Sequence, residues 1–308
     1  MLVLTYIGKR LLQSIVVLFL VSIIAFMLIR LAPGNPAELM LTDLATAEQI
    51  REMEQYLGLD LPLPVQYGRY LSGVLRGDLG ISTAYRMPVS QIIPPRLAGT
   101  VLLSVSAIAC GILLSVPLGI IAGSRRGSPT DFFAMSFSLV GQSMSGVWLS
   151  VFLVYVFAVR LGWFPTMGTG SIRHLILPML TMAYPMGAAI TRLARSGMID
   201  ALGQDYITST RAKGIRKIIV EWKYAFKNAL IPVVTIVGLD LAQFLAGAVV
   251  VEAVFSWPGL GQLLYQSVQR RDYAVVQSLL LLSAVFFVGI NLIVDIINSF
   301  IDRRIVLK

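Results

Sequence analysis

The chain has 308 residues, of which 56% are hydrophobic and only 13% charged, and its mean hydropathy is +0.79. Soluble domains carry about a quarter charged residues, so this composition is that of a polytopic membrane protein. The formal net charge of +9 is not arranged in a basic and aromatic pattern that suggests nucleic acid, and the single cysteine, Cys110, lies inside an apolar run, which excludes an intrachain disulfide.

A membrane-spanning helix needs ~20 apolar residues. Residues 11–29 carry no charge and are fenced by Lys9, Arg10 and Arg30. The run is too long for a signal-peptide core and lacks a small-residue cleavage site, so it reads as a retained span. Residues 32–96 follow as a polar loop with signs of order. Thr46 with Gln49 reads as a capping box ahead of a helix that Gly58 stops, the LPLP stretch at 61–64 is extended, and a second helix is expected over 65–76, ending at Gly77. Such a loop either caps helix ends or offers a surface to an external partner, and the residues do not choose between the two.

Five further runs hold spans. Residues 97–124 and 132–159 are uncharged, and 175–191 is shorter but sufficient. Residues 229–251 are apolar apart from Asp240, and 273–301 apart from Asp295, which brings the total to six helices. Pro117 and Gly119 in the second span, and Pro178 and Pro185 in the fourth, are places where a helix can kink and line a path. The organisation expected is a first helix (1–31), an extracytoplasmic loop subdomain (32–96) and a five-helix core (97–308) with a cytoplasmic segment at 195–228.

Orientation follows from the Lys/Arg count in short loops. With the N-terminus inside, the inner set is Lys9, Arg10, Arg125, Arg126, eight basic residues between Arg192 and Lys227, then Arg303, Arg304 and Lys308. The short outer loops hold Arg160, Arg173, Arg270 and Arg271. Both termini are therefore expected in the cytoplasm.

Residues 205–232, DYITSTRAKGIRKIIVEWKYAFKNALIP, are then cytoplasmic. Asp205 is placed to N-cap a short helix over 206–213 that Gly214 terminates, a rod of ~12 Å. A basic amphipathic helix follows, with Arg216, Lys223 and Lys227 on one face and Ile218, Trp222 and Phe226 on the other, suited to the membrane surface. Pro232 falls in the first turns of the fifth span, where a missing N–H matters least. A solvated basic loop would satisfy the charge rule alone, but the punctuation of cap, Gly stop and Pro entry points to a docking element.

Asp240 stands at the middle of the fifth span, where a charge costs ~2.5–3.5 kcal/mol on insertion scales. It faces either a pathway or an internal polar partner; Gln243, three residues on and on nearly the same face, favours a cavity. Asp295 reads as half of a structural pair with a basic residue, and Glu252 as structural or gate-lining. Gly238, Ala242, Ala246 and Gly247 suit close helix packing. His174, the one histidine, makes no metal site by itself.

RLAPGNPA (30–37), LGLDLPLPVQYGRYL (57–71), GDLGIS (77–82), TSTRAKG (208–214), NALIPVV (228–234), VVVEAVFSWPGLG (249–261) and RRDYAVVQ (270–277) occur in an order that resembles the dipeptide/oligopeptide/nickel permease family of ABC importers. Three features depart from the family pattern. Thr208, Ser209 and Thr210 occupy the EAA positions of its cytoplasmic loop, Ala274 stands where Pro is usual, and Arg303 stands where a DPR tail has Pro. The resemblance implies an all-α membrane protein with six transmembrane helices, the type I ABC importer permease fold and a long external loop after helix 1. It implies a second homologous permease, two cytoplasmic ATPase subunits that bind ATP and Mg, and an extracytoplasmic substrate-binding protein, with no cofactor on this chain. The ATPase-coupling residues would be Asp205, Tyr206, Thr208, Ser209, Thr210, Arg211, Ala212, Lys213 and Gly214; the translocation pathway would include Asp240 and Gln243. The location implied is a bacterial or archaeal cytoplasmic (inner) membrane.

The sequence has no G-x-x-x-x-G-K-[ST], G-x-S-x-G or H-E-x-x-H pattern, so neither a P-loop nor a hydrolase is expected. A gradient-driven secondary transporter, with paired repeats and relay residues, and a scaffold or intramembrane enzyme are the competing classes. The family handles dipeptides, oligopeptides, glutathione, opines, metal chelates and oligosaccharides; peptides are the expectation here.

Overall fold

A computed structural model describes residues 2–31, 46–58 and 60–301. The RLAPGNPA stretch beyond Leu31, and Asp302, Arg303, Arg304 and Lys308, lie outside the described residues. The fold is helical throughout. Among the described residues no sheet forms, and the one bridge joins Ile81 to Pro88.

The first helix, α1 (Leu2–Leu31), packs on the last, α13 (Tyr273–Ile301), rather than on the centre of the bundle. The external segment follows. The capping box forms as expected, with Gln49 N donating to Thr46 Oγ1 and Thr46 N to Gln49 Oε1 (3.0 Å), and it starts α2 (Ala47–Leu57). Gly58 stops that helix at φ +66°. Next, α3 (Leu63–Leu75) leans on α1 through Tyr67, whose hydroxyl meets Ser22 at 2.7 Å and whose ring packs edge-on to Phe26.

The second span, α4 (Val89–Ser124), begins eight residues before the apolar run at 97 does. Its first turns carry Pro94, Pro95 and Arg96, so hydropathy alone places the start too late. Its main partner is α7 (Ile172–Leu202). Gly111, Ser115, Gly119 and Gly123 recur every fourth residue on α4, all buried, and bring the two backbones into close approach. A Cβ on Gly119 would lie 2.6 Å from Ala194 Cβ, and one on Gly123 2.6 Å from Met198 Cβ. In a membrane, where apolar side chains gain nothing by leaving lipid, such close packing is what holds helices together.

Two expected spans are not single rods. Residues 132–159 divide into α5 (Pro129–Ser143) and α6 (Gly146–Leu153), which continues as a π-helical stretch, Val154–Arg160; the halves meet at an angle of 106°. Met144 and Ser145 are extended there, in a stretch rich in Gly and Ser, a usual source of kinks. The fifth span, α10 (Phe226–Leu245), ends before residue 251: Gly247, at φ +114°, breaks it and the short α11 (Val249–Val254) follows. Among the described residues four helices are long and apolar enough to cross a membrane, or up to six if each bent pair counts as one span. The remaining pieces are α8 (Asp205–Ala212), α9 (Lys217–Ile219, extended by a π turn, Val220–Ala225) and α12 (Leu260–Gln269).

Candidate functional site

Two places collect the residues singled out by sequence. The first is α8, at the basic end of the bundle. Asp205 does not cap it. Gln204 occupies the N-cap position, without a side-chain bond, and Asp205 is the first helical residue, where its charge still suits the positive helix end. The rod ends at Ala212, with Lys213 as its cap and Gly214 just beyond at φ +75°; Gly214 N donates to Arg211 O at 3.0 Å. Asp205, Tyr206, Thr208, Ser209, Arg211, Ala212, Lys213 and Gly214 are exposed, and Thr210 is half-buried, its hydroxyl donating to Tyr206 O.

Sequence reading omitted the residue that seats this rod. Ile207 is fully buried among Ile120, Met198, Val220, Ala225 and Ala229, which come from α4, α7, the π turn after α9 and the start of α10. One large apolar side chain in a polar eight-residue helix was the available signal. The rod is thereby in contact with three spans at once.

The following basic segment differs from the expected wheel. Arg216 precedes the helix as its N-cap, and the helix widens into a π turn that shifts the faces. Val220 and Ala225 are buried, whereas Ile218 and Trp222 are exposed. Val220 and Ala225 hold the segment to the bundle, and Ile218 and Trp222 form an outward apolar pair.

The second place is a cavity of about 390 Å³ between α7, the end of α10, the start of α11 and the bend between α5 and α6. Asp240, Gln243 and Phe244 of α10 form one wall. Thr181, Met182, Pro185 and Met186 of α7 form another, Met144 and Gly146 at the bend between α5 and α6 lie on a third side, and residues 247–251 complete the lining of this open space. The breaks in the third and fifth spans thus open onto one space. Asp240 and Gln243 are together, as their spacing requires, and one kink candidate, Pro185, joins them. Asp240 Oδ2 is buried and has no hydrogen-bond partner.

Family models match nearly the whole chain. "Binding-protein-dependent transport system inner membrane component" covers residues 115–307, and its N-terminal companion, "Binding-prot-dependent transport system membrane comp, N-term", covers residues 3–104. The chain belongs to this family. Curated relatives agree along its length. "Glutathione transport system permease protein GsiC" of Shigella flexneri serotype 5b and of Escherichia coli K12 are each 40% identical over 98% of this chain and 99% of the relative. Among solved structures, inward-facing MetNI methionine ABC transporter matches with a TM-score of 0.55 at 17% identity, over 69% of this chain and 97% of that one. An amino acid ABC transporter crystallised with histidines matches at 0.50 and 18%, over 76% of this chain and 98% of that one; both likenesses speak to fold alone. The protein is thus an ABC importer permease of the peptide/nickel group, multi-pass in the inner membrane.

In this permease three of the motifs, GDLGIS, VVVEAVFSWPGLG and RRDYAVVQ, are held by buried hydrogen bonds. Asp272, in RRDYAVVQ, is fully buried and accepts hydrogen bonds from Ser82 Oγ, in GDLGIS, and from Ala84 N at 3.2 Å. Glu252, in VVVEAVFSWPGLG, is fully buried and accepts from Thr100 Oγ1 (2.8 Å) and Gln262 N (3.0 Å), while Leu260 N donates to Thr100 Oγ1 (2.7 Å). Burial pushes the Glu252 carboxyl above its ordinary range, against the pull of those bonds and of Arg96. Glu252 is therefore structural, and a Cβ on Gly259 would run into its carboxylate. Asp295 pairs with Arg10 Nη1 at 3.1 Å, joining α13 to α1. Asp131 takes both ends of the Arg195 guanidinium, tying α5 to α7. His174 is half-buried and bonded to Ser171, and Cys110 is a free, partly buried thiol in α4.

Proposed function

We propose that the chain is one of two membrane subunits of an ATP-driven importer and forms half of a translocation pathway for peptides. The single observation that carries the coupling part is α8: an exposed rod at the basic end, anchored by one buried isoleucine under the ends of three spans. Two cytoplasmic ATPase subunits, which bind the ATP and Mg, grip Asp205, Tyr206, Thr208, Ser209, Thr210, Arg211, Ala212, Lys213 and Gly214. Their closure moves the rod, Ile207 moves with it, and the spans swing between inward- and outward-open, a rigid-body transmission through a packed two-state element. A substrate-binding protein delivers solute at the opposite end, both termini being cytoplasmic. Asp240 and Gln243 lie on the path.

The relatives' name supports a peptide-like cargo, since glutathione is a tripeptide, and their 40% identity leaves room for other short peptides. The test is uptake by a host strain lacking this gene, offered radiolabelled glutathione, dipeptides and tetrapeptides. Loss of one of these, restored by the wild-type gene, names the cargo; undiminished uptake of all three sets peptides aside in favour of a chelate, opine or oligosaccharide. Restoration by Gly214→Asp is expected to fail although the protein reaches the membrane. No atom stands near the position of a Cβ at Gly214, so the defect would come from strain at positive φ and from a negative charge at the negative helix end. Normal uptake by that variant would remove the coupling role.

A further inference from the structure

Among the acidic side chains held inside the bundle, Asp240 is treated differently from the rest. Asp131, Glu252, Asp272 and Asp295 each have an ion-pair or hydrogen-bond partner. Asp240 has an oxygen sealed from solvent with nothing donating to it. It is also the only ionisable group among the described residues lining its cavity, and no Lys, Arg or His is there to neutralise it. The Thr181 hydroxyl, which also lines the space, is already committed to Leu177 O at 2.9 Å. An uncompensated carboxylate at this depth is costly, and a structural role would be served by any of the partners its counterparts have.

The rest of the wall has the opposite character. Met144, Met182 and Met186 line the same space with unbranched, polarisable side chains. Methionine fills irregular space and re-packs around different shapes, which is why it is common at promiscuous binding surfaces. The volume of about 390 Å³ falls within the range of small-molecule sites. One fixed negative charge in a deformable apolar wall recognises a constant cationic group and tolerates what is attached to it.

We propose that this cavity binds the ammonium group of the transported solute, with Asp240 as its counter-ion and the methionine wall accommodating the variable remainder. The proposal rests on the reading that the pathway passes Asp240, and it narrows the cargo to solutes with a free amine. Solutes whose only charge is negative would be repelled at this point.

The test uses the assembled importer in membrane vesicles, with Cys110→Ala removing the native thiol and Gln243→Cys placing a new one, one turn from Asp240. Two methanethiosulfonates of opposite charge, trimethylammonium-ethyl and sulfonatoethyl, serve as probes. After correction for their rates with a free thiol, the cationic reagent should react faster by on the order of tenfold, the effect of one carboxylate at that distance in a partly solvated site. Adding Asp240→Asn should reduce the ratio to near parity, and Asp240→Glu should restore it. Ethylammonium should slow the cationic reagent where acetamide does not. A ratio near unity with Asp240 intact, or one indifferent to Asp240→Asn, would overturn the ammonium site, as when the carboxylate pairs with a cation of the second permease. Failure of both reagents to react, at rest and during ATP turnover, would instead remove Gln243 from the pathway and overturn the reading on which the proposal stands.

Discussion

Charge inside an apolar setting is costly and therefore tells most about a single residue. Asp240 and Asp295 were legible in the sequence because each interrupts a long uncharged run, and the structure gives one a cavity and the other Arg10. Asp272, Asp131 and Thr100 gave no such contrast. They sit in or beside polar stretches, and what makes them matter is a partner far along the chain: Ser82 lies 190 positions from Asp272, and Arg195 lies 64 from Asp131. Breaking a buried pair from one side costs about 3–5 kcal/mol, because the other charge is left unmatched. Arg195 is partly exposed, so the lower end applies: Arg195→Ala should lower the thermal midpoint of the detergent-purified protein clearly, and Asp131→Ala with it should recover part of the loss. A double variant whose midpoint falls by the sum of the two single losses would mean the pair contributes nothing by coupling. Glu252→Ala strands the Gln262 N–H and part of the Thr100 hydroxyl, at about 1–3 kcal/mol for an unmet buried donor. It should act as a destabilising change with cargo preference unaltered, which thermal unfolding and competition uptake would show separately.

The spans were legible from apolar run length, and their ends were not, unlike those of α2, which Thr46 and Gly58 marked. Span α4 starts early because a helix does not need apolar residues once it has left the lipid, and α7 continues to Leu202 for the same reason. The division of the third span escaped the reading because hydropathy is blind to backbone direction; the Gly and Ser residues around Met144 were its only trace. The small-residue row Gly111, Ser115, Gly119, Gly123 was visible in principle, yet Gly119 drew notice only as a kink. It is a contact point, with Thr191 O 2.8 Å from where its Cβ would stand. Gly119→Leu should force α4 and α7 apart, costing at least the ~1–3 kcal/mol of overpacking, and should reduce the yield of folded protein in membranes. Leu at Gly8, where no atom lies near the Cβ position, is the control expected to be silent.

At the scale of the whole molecule, the charge pattern, the six apolar runs and the ordered blocks together carried the reading to the importer class. The cargo was not legible, because the cavity beside Asp240 holds few polar groups and those few speak to charge rather than to shape. In the proposed coupling, ATP-driven partners act at the basic end, where α8 is exposed and Ile207 seats it among residues of three spans. The most direct test is purification of the tagged chain from its native host in mild detergent, followed by mass spectrometry of what accompanies it. A second permease and P-loop ATPase subunits should co-purify, and the ATPases should be lost on replacing Arg211 and Lys213 with Glu. A chain recovered alone, or only with itself even after crosslinking, with solute uptake driven by a proton or sodium gradient, would contradict the coupling role of α8.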